Sequence, residues 1–466
     1  MLKPFTCSRF APLLWRGVGV RYLTLILSCS IIAVSCTAQV KTRPLVRQGN
    51  LSDSALLDVV QKQTFKYFWN FAHPVSAMAR ERSNEAYGYG NEVVTTGGTG
   101  FGVMAIIAAT ERKWISRDTA AKFMVRMVNF LLKADSYHGV FPHWLNGSTG
   151  KTIPFSRKDD GADLVETSYL FQGLLCARQY FNNTNNRTEN ELRNKIQWLW
   201  EGIEWNWFTK GGEEVLYWHW SPNNGWAMNF PIRGFNECLI TYVLAASAEK
   251  YPVASAVYHR GWTQSNFFKN GKTFYGYSLP LGFDYGGPLF FSQYSFLGLD
   301  PHGLKDEYAD YWEQNQHHTF INYAYCIDNP HEFKGFGANC WGLTAGDTYD
   351  GYNAYSPTND GGTIAPTAAL SAFPYAPDKS MKALKHFYYD LGDKIWSEYG
   401  FVDGFNETKN WYASSHLAID QGPIIVMIEN YRSGLLWKLF MSCPEVQSGL
   451  KKLDFSTPYI KKIIND

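Results

Sequence analysis

The sequence predicts an all-α protein built as an (α/α)6 toroid, six inner helices ringed by six outer ones, with long loops at one rim. Three observations carry this prediction. From Asp53 onward, helical periodicity runs in long blocks with few β-type stretches. The blocks alternate between amphipathic, charge-bearing helices and helices that are apolar on every side, and a helix without a polar face must be buried all round. Each apolar helix is also entered through a Gly-rich or acidic segment.

The blocks fall near residues 53–71, 100–113, 116–133, 163–181, 188–204, 234–248, 252–268, 287–298, 303–327, 363–373, 378–392 and 419–433, with a shorter helical tail at 434–453. The first follows a polar stretch and carries charge along one face. The second, Gly102-Val-Met-Ala-Ile-Ile-Ala-Ala109, has no polar face. The third, Ser116-Arg-Asp-Thr-Ala-Ala-Lys-Phe-Met-Val-Arg-Met-Val-Asn-Phe-Leu-Leu-Lys133, is amphipathic again, and the alternation persists to the twelfth, which contains Gly422-Pro-Ile-Ile-Val-Met-Ile428. The entrances to the even helices lie at 95–100, 158–163, 231–236, 283–288, 359–363 and 417–422. In an alternating toroid the inner helices run parallel, so all six entrances meet at one end. Long aromatic-rich connections precede them at 134–162, 205–233 and 328–362. Loops clustered on one rim of a rigid scaffold are where binding and catalysis concentrate.

Ahead of this single domain (53–466) stand a leader and a tether. Arg16 and Arg21 precede an apolar run from Tyr22 to Ser35 that is too short for a comfortable membrane span and reads as an export signal over residues 1–36. Ala33-Val-Ser-Cys36 matches a bacterial lipobox, which makes Cys36 the expected lipidation site, with residues 37–52 as the tether. The expected location is the periplasm or outer membrane of a Gram-negative bacterium, with membrane contact through the lipid only. Five cysteines remain outside the leader at wide spacings, with neither a zinc pattern nor a disulfide framework. They read as buried apolar residues.

A net charge of +1 and 18% charged residues, with no basic block, give a nucleic-acid partner no electrostatic support. Aromatics at 17% suit both a packed interior and a cleft that stacks on sugar rings. Asp159, Asp163 and Glu166, at spacings of four and three, share one side of a helix start. Helix capping would explain them too, though Glu166 sits within an otherwise apolar helix. Glu237, in Arg233-Gly-Phe-Asn-Glu-Cys-Leu-Ile-Thr-Tyr242, opens another apolar helix. Apolar surroundings would raise its pKa as a general acid requires; the alternative is an ion pair with Arg233. Asp420 starts the twelfth helix beside Pro423, where a capping role competes. Asp284 and Asp360, each before a Gly-Gly pair or one residue from it, read as turn formers.

Gly100-Phe-Gly-Val-Met-Ala105 fits a dinucleotide fingerprint, but a second helix follows where a second strand is needed. No metal-ligand spacing and no nucleophile elbow occur, so no cofactor and no metal are expected. Several carboxyls around an aromatic mouth point instead to glycosidic cleavage, which needs one protonated and one ionised carboxyl. A non-catalytic glycan-binding lipoprotein and a polysaccharide lyase on the same toroid are the competing readings.

Arg233-Gly-Phe-Asn-Glu-Cys, Gly335-Phe-Gly-Ala-Asn-Cys-Trp-Gly-Leu-Thr-Ala and Asp360-Gly-Gly-Thr-Ile-Ala-Pro-Thr-Ala-Ala resemble the glucoamylase-like domain of bacterial secreted proteins. With Asp159, Asp163, Glu166 and Ala418-Ile-Asp-Gln-Gly-Pro, the resemblance extends to glycoside hydrolase family 144 over the whole chain after the tether. It implies an (α/α)6 fold and inverting hydrolysis of β-1,2-glucan to sophorose or short sophoro-oligosaccharides, by a monomer. Carried over, Glu237 is the general acid and Asp420 stands on the base side, either directly or through a substrate hydroxyl. Asp159, Asp163, Glu166, Arg233 and Trp341 would shape the substrate subsites.

Overall fold

The computed structural model describes residues 47–85 and 90–460. The leader, Cys36 and residues 37–46 of the tether lie outside the described residues. In chain order the α-helices are α1 (Asp53–Trp69), α2 (Thr96–Glu111), α3 (Arg117–Leu131), α4 (Leu164–Tyr180), α5 (Arg187–Glu201), α6 (Leu239–Ser247), α7 (Tyr311–Asp328), α8 (Pro366–Leu370), α9 (Pro377–Lys385), α10 (Gly392–Ile395), α11 (Ala418–Ser433), α12 (Leu435–Met441) and α13 (Pro444–Lys452). The fold is therefore rich in helix, and the alternation seen in the sequence is physical. Every residue of α2 from Thr96 to Thr110 is buried, as are all of α6 and most of α4 and α11. By contrast α3 and α5 bury one face only.

The way the helices start separates the two kinds again. Amphipathic α1, α3, α5 and α7 begin on side-chain caps from Ser52, Ser116, Asn186 and Asp310, each supplying an acceptor for orphan first-turn N–H groups. Buried α2, α6, α8 and α11 have no side-chain cap. Among the buried helices, α4 is capped, by Asp163.

The two most intimately packed helices are α2 and α4. A Cβ on Gly100 would stand 2.0 Å from Tyr169 O, and one on Gly173 would stand 2.1 Å from Gly100 O. The glycines that mimic a nucleotide fingerprint are thus used for backbone-to-backbone helix contact. Helix α2 also begins at Thr96 rather than near residue 100, so the Gly-rich entrance is itself the first helical turn. The strands around it form an antiparallel sheet, Val93–Thr95 on Trp144–Asn146 on Thr152–Ile153, which removes the parallel βαβ unit that a nucleotide site would need.

Two predicted helices are not α-helices. Residues 252–268 contain only a short π-helix, Val257–Trp262, before a hairpin pairs Lys269–Phe274 with Tyr277–Leu281. Tyr275 and Gly276 turn that hairpin with φ of 51° and 84°, a left-handed pair suited to a tight hairpin. Residues 287–298 form 3-10 turns at Leu289–Ser292 and Ser295–Leu297, where aromatic and serine residues are weak helix formers. The five described cysteines are buried and unbridged. Among the described residues, no helix is long and apolar enough to cross a membrane.

Candidate active site

Short strand pairs stitch the long loops over the starts of buried helices, and they decide which side chains meet. Ala162–Asp163 pairs antiparallel with His219–Trp220, which sets Asp163 directly opposite His219. Thr96 N donates to His143 O at 3.1 Å, and Asp163 N donates to Phe141 O at 2.9 Å. Residues far apart in sequence, at 95–97, 143, 159–166 and 219, therefore converge.

Their side chains form a lattice of carboxylates and imidazoles. His143 Nδ1 donates to Asp163 Oδ2 at 3.1 Å, and its Nε2 lies 3.9 Å from Glu166 Oε1. His219 Nδ1 lies 3.4 Å from Asp159 Oδ1 and 3.7 Å from Asp163 Oδ2. Burial alone would strip the proton from His143, but Glu166, Asp163 and Asp159 outweigh it and raise its pKa to about 10. Burial likewise opposes charge on His219, yet Asp159 and Asp163 raise it. Burial also works against ionised Asp163, but the two imidazoles hold its carboxyl below the usual range.

Asp163 has a double role. Its Oδ1 accepts from Val165 N at 3.0 Å and Glu166 N at 2.9 Å, capping α4, while Oδ2 faces the histidines. The cap uses one oxygen and leaves the other for the imidazoles, so capping does not exclude a role in the site. Glu166 Oε2 accepts from Gly97 N at 2.7 Å, in the uncapped first turn of α2. A Cβ on Gly97 would lie 2.6 Å from that oxygen, so only glycine allows the bond.

Glu237 stands two residues before α6, in the turn rather than in the helix. Its backbone is pinned, since Ser295 Oγ donates to its carbonyl. Among the described residues its carboxyl has no side-chain hydrogen-bond donor and no ion-pair partner. Arg233 is exposed and donates instead to Gly261 O at 3.0 Å. Desolvation raises the Glu237 pKa to about 7, with Asp163 and Glu166 adding to the shift.

Asp420 lies in the first turn of α11 but does not cap it. It is 1% exposed, its Oδ1 accepts from Tyr294 Oη at 3.2 Å, and burial raises its pKa to about 7. Tyr294 packs edge-on against Tyr169 with centroids 5.8 Å apart, and Tyr169 in turn feels the charge of Glu237. Two contacting tyrosines thus link the surroundings of the two carboxyls.

Exposed aromatics rim the region. Phe155 is 46% exposed and stacks on His143 at 4.1 Å; Phe230, 47% exposed, stacks on Trp218. Tyr352, 44% exposed, sits near Asp420. Trp341 needs correction as a subsite residue: it is fully buried, packs edge-on against Tyr323 and donates Nε1–H to Lys379 O at 3.4 Å. No face of its ring is available to a sugar. Asp284 and Asp360 are turn residues as read, the first held by Lys272 and Asn270, the second accepting from Gly362 N.

Histidines 143 and 219 were not legible as site residues, because neither has a metal-like spacing. The available signal was an imidazole inside an aromatic loop segment, Phe141-Pro-His-Trp144 and Tyr217-Trp-His-Trp220. Ligand-type atoms of His143, Asp159 and Asp163 lie within 4.8 Å of one another. A separate cavity of about 320 Å³ lies between the far ends of α4, α5 and α6, lined by Arg178, Trp200, Lys250 and Glu445. Its Arg178 and Glu445 are paired with each other.

A helical scaffold that offers two carboxyls with pKa values near neutrality beneath an aromatic rim defines a glycoside hydrolase. A family model described as "Putative glucoamylase" matches residues 229–444. The endo-beta-1,2-glucanase from Chitinophaga pinensis, solved with sophorotriose and glucose, is 54% identical with a TM-score of 0.86, covering 88% of this chain and 100% of that one. The chain belongs to this glucoamylase-like family of hydrolases, glycoside hydrolase family 144. An exo beta-1,2-glucooligosaccharide sophorohydrolase (non-reducing end) from Parabacteroides distasonis is 45% identical over 424 residues, 86% of this chain. The match spans 58% of that relative's length. An endo-beta-1,2-glucanase mutant from Talaromyces funiculosus shares the fold at 11% identity and a TM-score of 0.60, over 87% of this chain and 91% of that one.

Proposed function

We propose that the protein hydrolyses β-1,2-glucan to sophorose or short sophoro-oligosaccharides with inversion, Glu237 acting as general acid and Asp420 standing on the base side. The observation that carries this reading is the state of Glu237, a carboxyl with no side-chain donor and no ion-pair partner among the described residues, its pKa raised by desolvation to about 7. It can hold a proton for the leaving oxygen near neutral pH. A binding protein has no use for such a group, and a lyase would need a base beside a uronic acid rather than an acid. The β-1,2-glucan-acting relatives supply the linkage. Asp159, Asp163 and Glu166, held by His143 and His219, would bind sugar hydroxyls, and Phe155, Phe230 and Tyr352 would offer stacking faces.

The scaffold we propose is the (α/α)6 toroid, with α2, α4, α6, the 3-10 segment 289–297, α8 and α11 as the inner ring. The burial of these elements on all sides supports it, as does the likeness to the Talaromyces enzyme's fold. Incubation with β-1,2-glucan followed by chromatography tests the activity. Sophorose or short sophoro-oligosaccharides are the expected products; release from α-1,4-glucan with none from β-1,2-glucan would overturn the linkage.

We also propose export, with a lipid on Cys36 anchoring a monomer at the periplasmic or outer membrane, on the strength of the lipobox-like sequence. Cys36→Ala is expected to move the protein from the membrane fraction to the soluble one, read by fractionation and immunoblotting. An unchanged distribution would remove the anchor.

A further inference from the structure

Behind Asp420 lies a second buried acid that the mechanism above does not use. Asp403 is 2% exposed, in the loop ahead of α11. One of its oxygens, Oδ2, accepts from Asp347 N at 2.6 Å, and its own N–H donates to Ser415 O at 2.9 Å. A Cβ on Gly346 would come within 2.9 Å of that same Oδ2, so the backbone closes tightly around this oxygen.

The other oxygen, Oδ1, is buried without a donor, and so is Asp420 Oδ2. Two buried acceptors without donors, on side chains in hydrogen-bonding contact, are explained together if a proton lies between them. Both carboxyls cannot be ionised at such range, and a buried unsatisfied acceptor is costly.

Glu81 and Asp347 face the pair, and Arg82 pairs with both of these, at 2.9 Å in each case. The charge of His143 also reaches Glu81. Neither Asp403 nor Asp420 has an ion-pair partner among the described residues. Tyr294, Tyr352 and Tyr67 also face the pair and carry no positive charge. The cations in reach thus answer Glu81 and Asp347, and a retained proton relieves the Asp403–Asp420 pair.

We propose that Asp403 is a positioning residue that stays protonated and donates its hydrogen bond to Asp420, fixing Asp420 as the ionised, correctly oriented base. Asp403 can carry that proton without giving up a hydrogen bond. Its Oδ2 is occupied by a backbone N–H, which leaves Oδ1 to carry the proton toward Asp420. Asp420 keeps its remaining oxygen, Oδ1, on Tyr294 Oη at 3.2 Å. The shift directions agree: burial and the Asp420 charge raise Asp403 well above the carboxyl range, while its hydrogen bond lowers Asp420 against burial.

This proposal rests on the base-side reading of Asp420, and the test separates the two. Asp403→Asn and Asp403→Ala would be compared with Asp420→Asn on β-1,2-glucan across pH. An asparagine can accept from Asp347 N while its amide N–H donates to Asp420, so it mimics the neutral acid. Asp403→Asn should lose only about three- to tenfold in kcat, and Asp403→Ala about a hundredfold, in line with loss of one preorganised donor. The acid limb of kcat/KM should stay in place for the asparagine variant. It should move to higher pH for the alanine variant, where Asp420 loses its donor. A cavity effect alone would lower Tm without moving that limb. If Asp403→Asn falls as far as Asp403→Ala, or as far as Asp420→Asn, the proposal is overturned. Should the alanine variant fail to fold, the comparison of Asp403→Asn with Asp420→Asn still decides the matter. If Asp420→Asn itself keeps its activity, the base-side reading fails instead.

Discussion

Glu237→Gln is expected to lower kcat on β-1,2-glucan by about a thousandfold or more, because it removes both the transferable proton and the charge change at the leaving oxygen. The fold should survive. Glutamine has the same shape, and the native carboxyl makes no described ion pair that the substitution would break. Stability gives a second, independent reading. Folding raises the Glu237 pKa from 4.5 to about 7, chiefly by desolvation, so between those values the folded state holds a proton that the unfolded state has lost. Stability contributed by the neutral form is therefore complete below about pH 4.5 and falls as pH rises towards 7. Above that, the ionised carboxyl costs on the order of 1–3 kcal/mol, which a glutamine does not incur. The variant should match the native protein in Tm at pH 4 and equal or exceed it at pH 8. The wild-type kcat/KM should decline above about pH 7, where Glu237 ionises. Near-native turnover would remove Glu237 from the mechanism, and a large Tm loss at pH 8 would make its role structural.

Much of this arrangement was readable in the sequence for definite physical reasons. Buried helices lack a polar face, so α2, α4, α6 and α11 were visible as apolar blocks, and their partners as amphipathic, charge-bearing ones; the side-chain caps that start the latter, such as Asp310 at α7, were seen only in the structure. The carboxyls at helix starts were visible as well, although whether they cap or catalyse depends on tertiary contacts. Asp163 does both of its jobs with different oxygens, and Asp420 does not cap at all. What stayed hidden depends on pairing between distant segments. His219 reaches Asp163 through a two-residue strand pair, and His143 reaches Glu166 only because its loop bonds to the first residue of α2. Trp341 misled for the opposite reason: a tryptophan in a glycine-rich motif suits a sugar platform, yet its ring closes the core beside Tyr323.

Asp420→Asn is expected to lose about a thousandfold or more in kcat with substrate binding largely retained, since it removes the group that drives water onto the anomeric carbon. The stereochemical outcome tests the same residue from another side. An inverting enzyme must place water between base and sugar, so its carboxyls stand roughly 6.5–9.5 Å apart, against about 5–5.5 Å for a retaining one. Two features favour the wider gap. The charges that raise Glu237 are those of Asp163 and Glu166, whereas Asp420 answers to Asp403, Asp347 and Glu81, so the two carboxyls belong to different sub-clusters. Tyr169 senses Glu237, Tyr294 is bonded to Asp420, and the two rings meet edge-on, so the carboxyls are linked through two side chains rather than by direct contact. A water, or a substrate hydroxyl that relays the proton to Asp420, is what such a separation calls for. Time-resolved NMR on a β-1,2-glucan should therefore show the α-anomer first, with the β-anomer growing in only as mutarotation proceeds. An initial β-anomer would require a covalent intermediate and a nucleophile within bonding reach of the sugar, and Asp420 would no longer be the base.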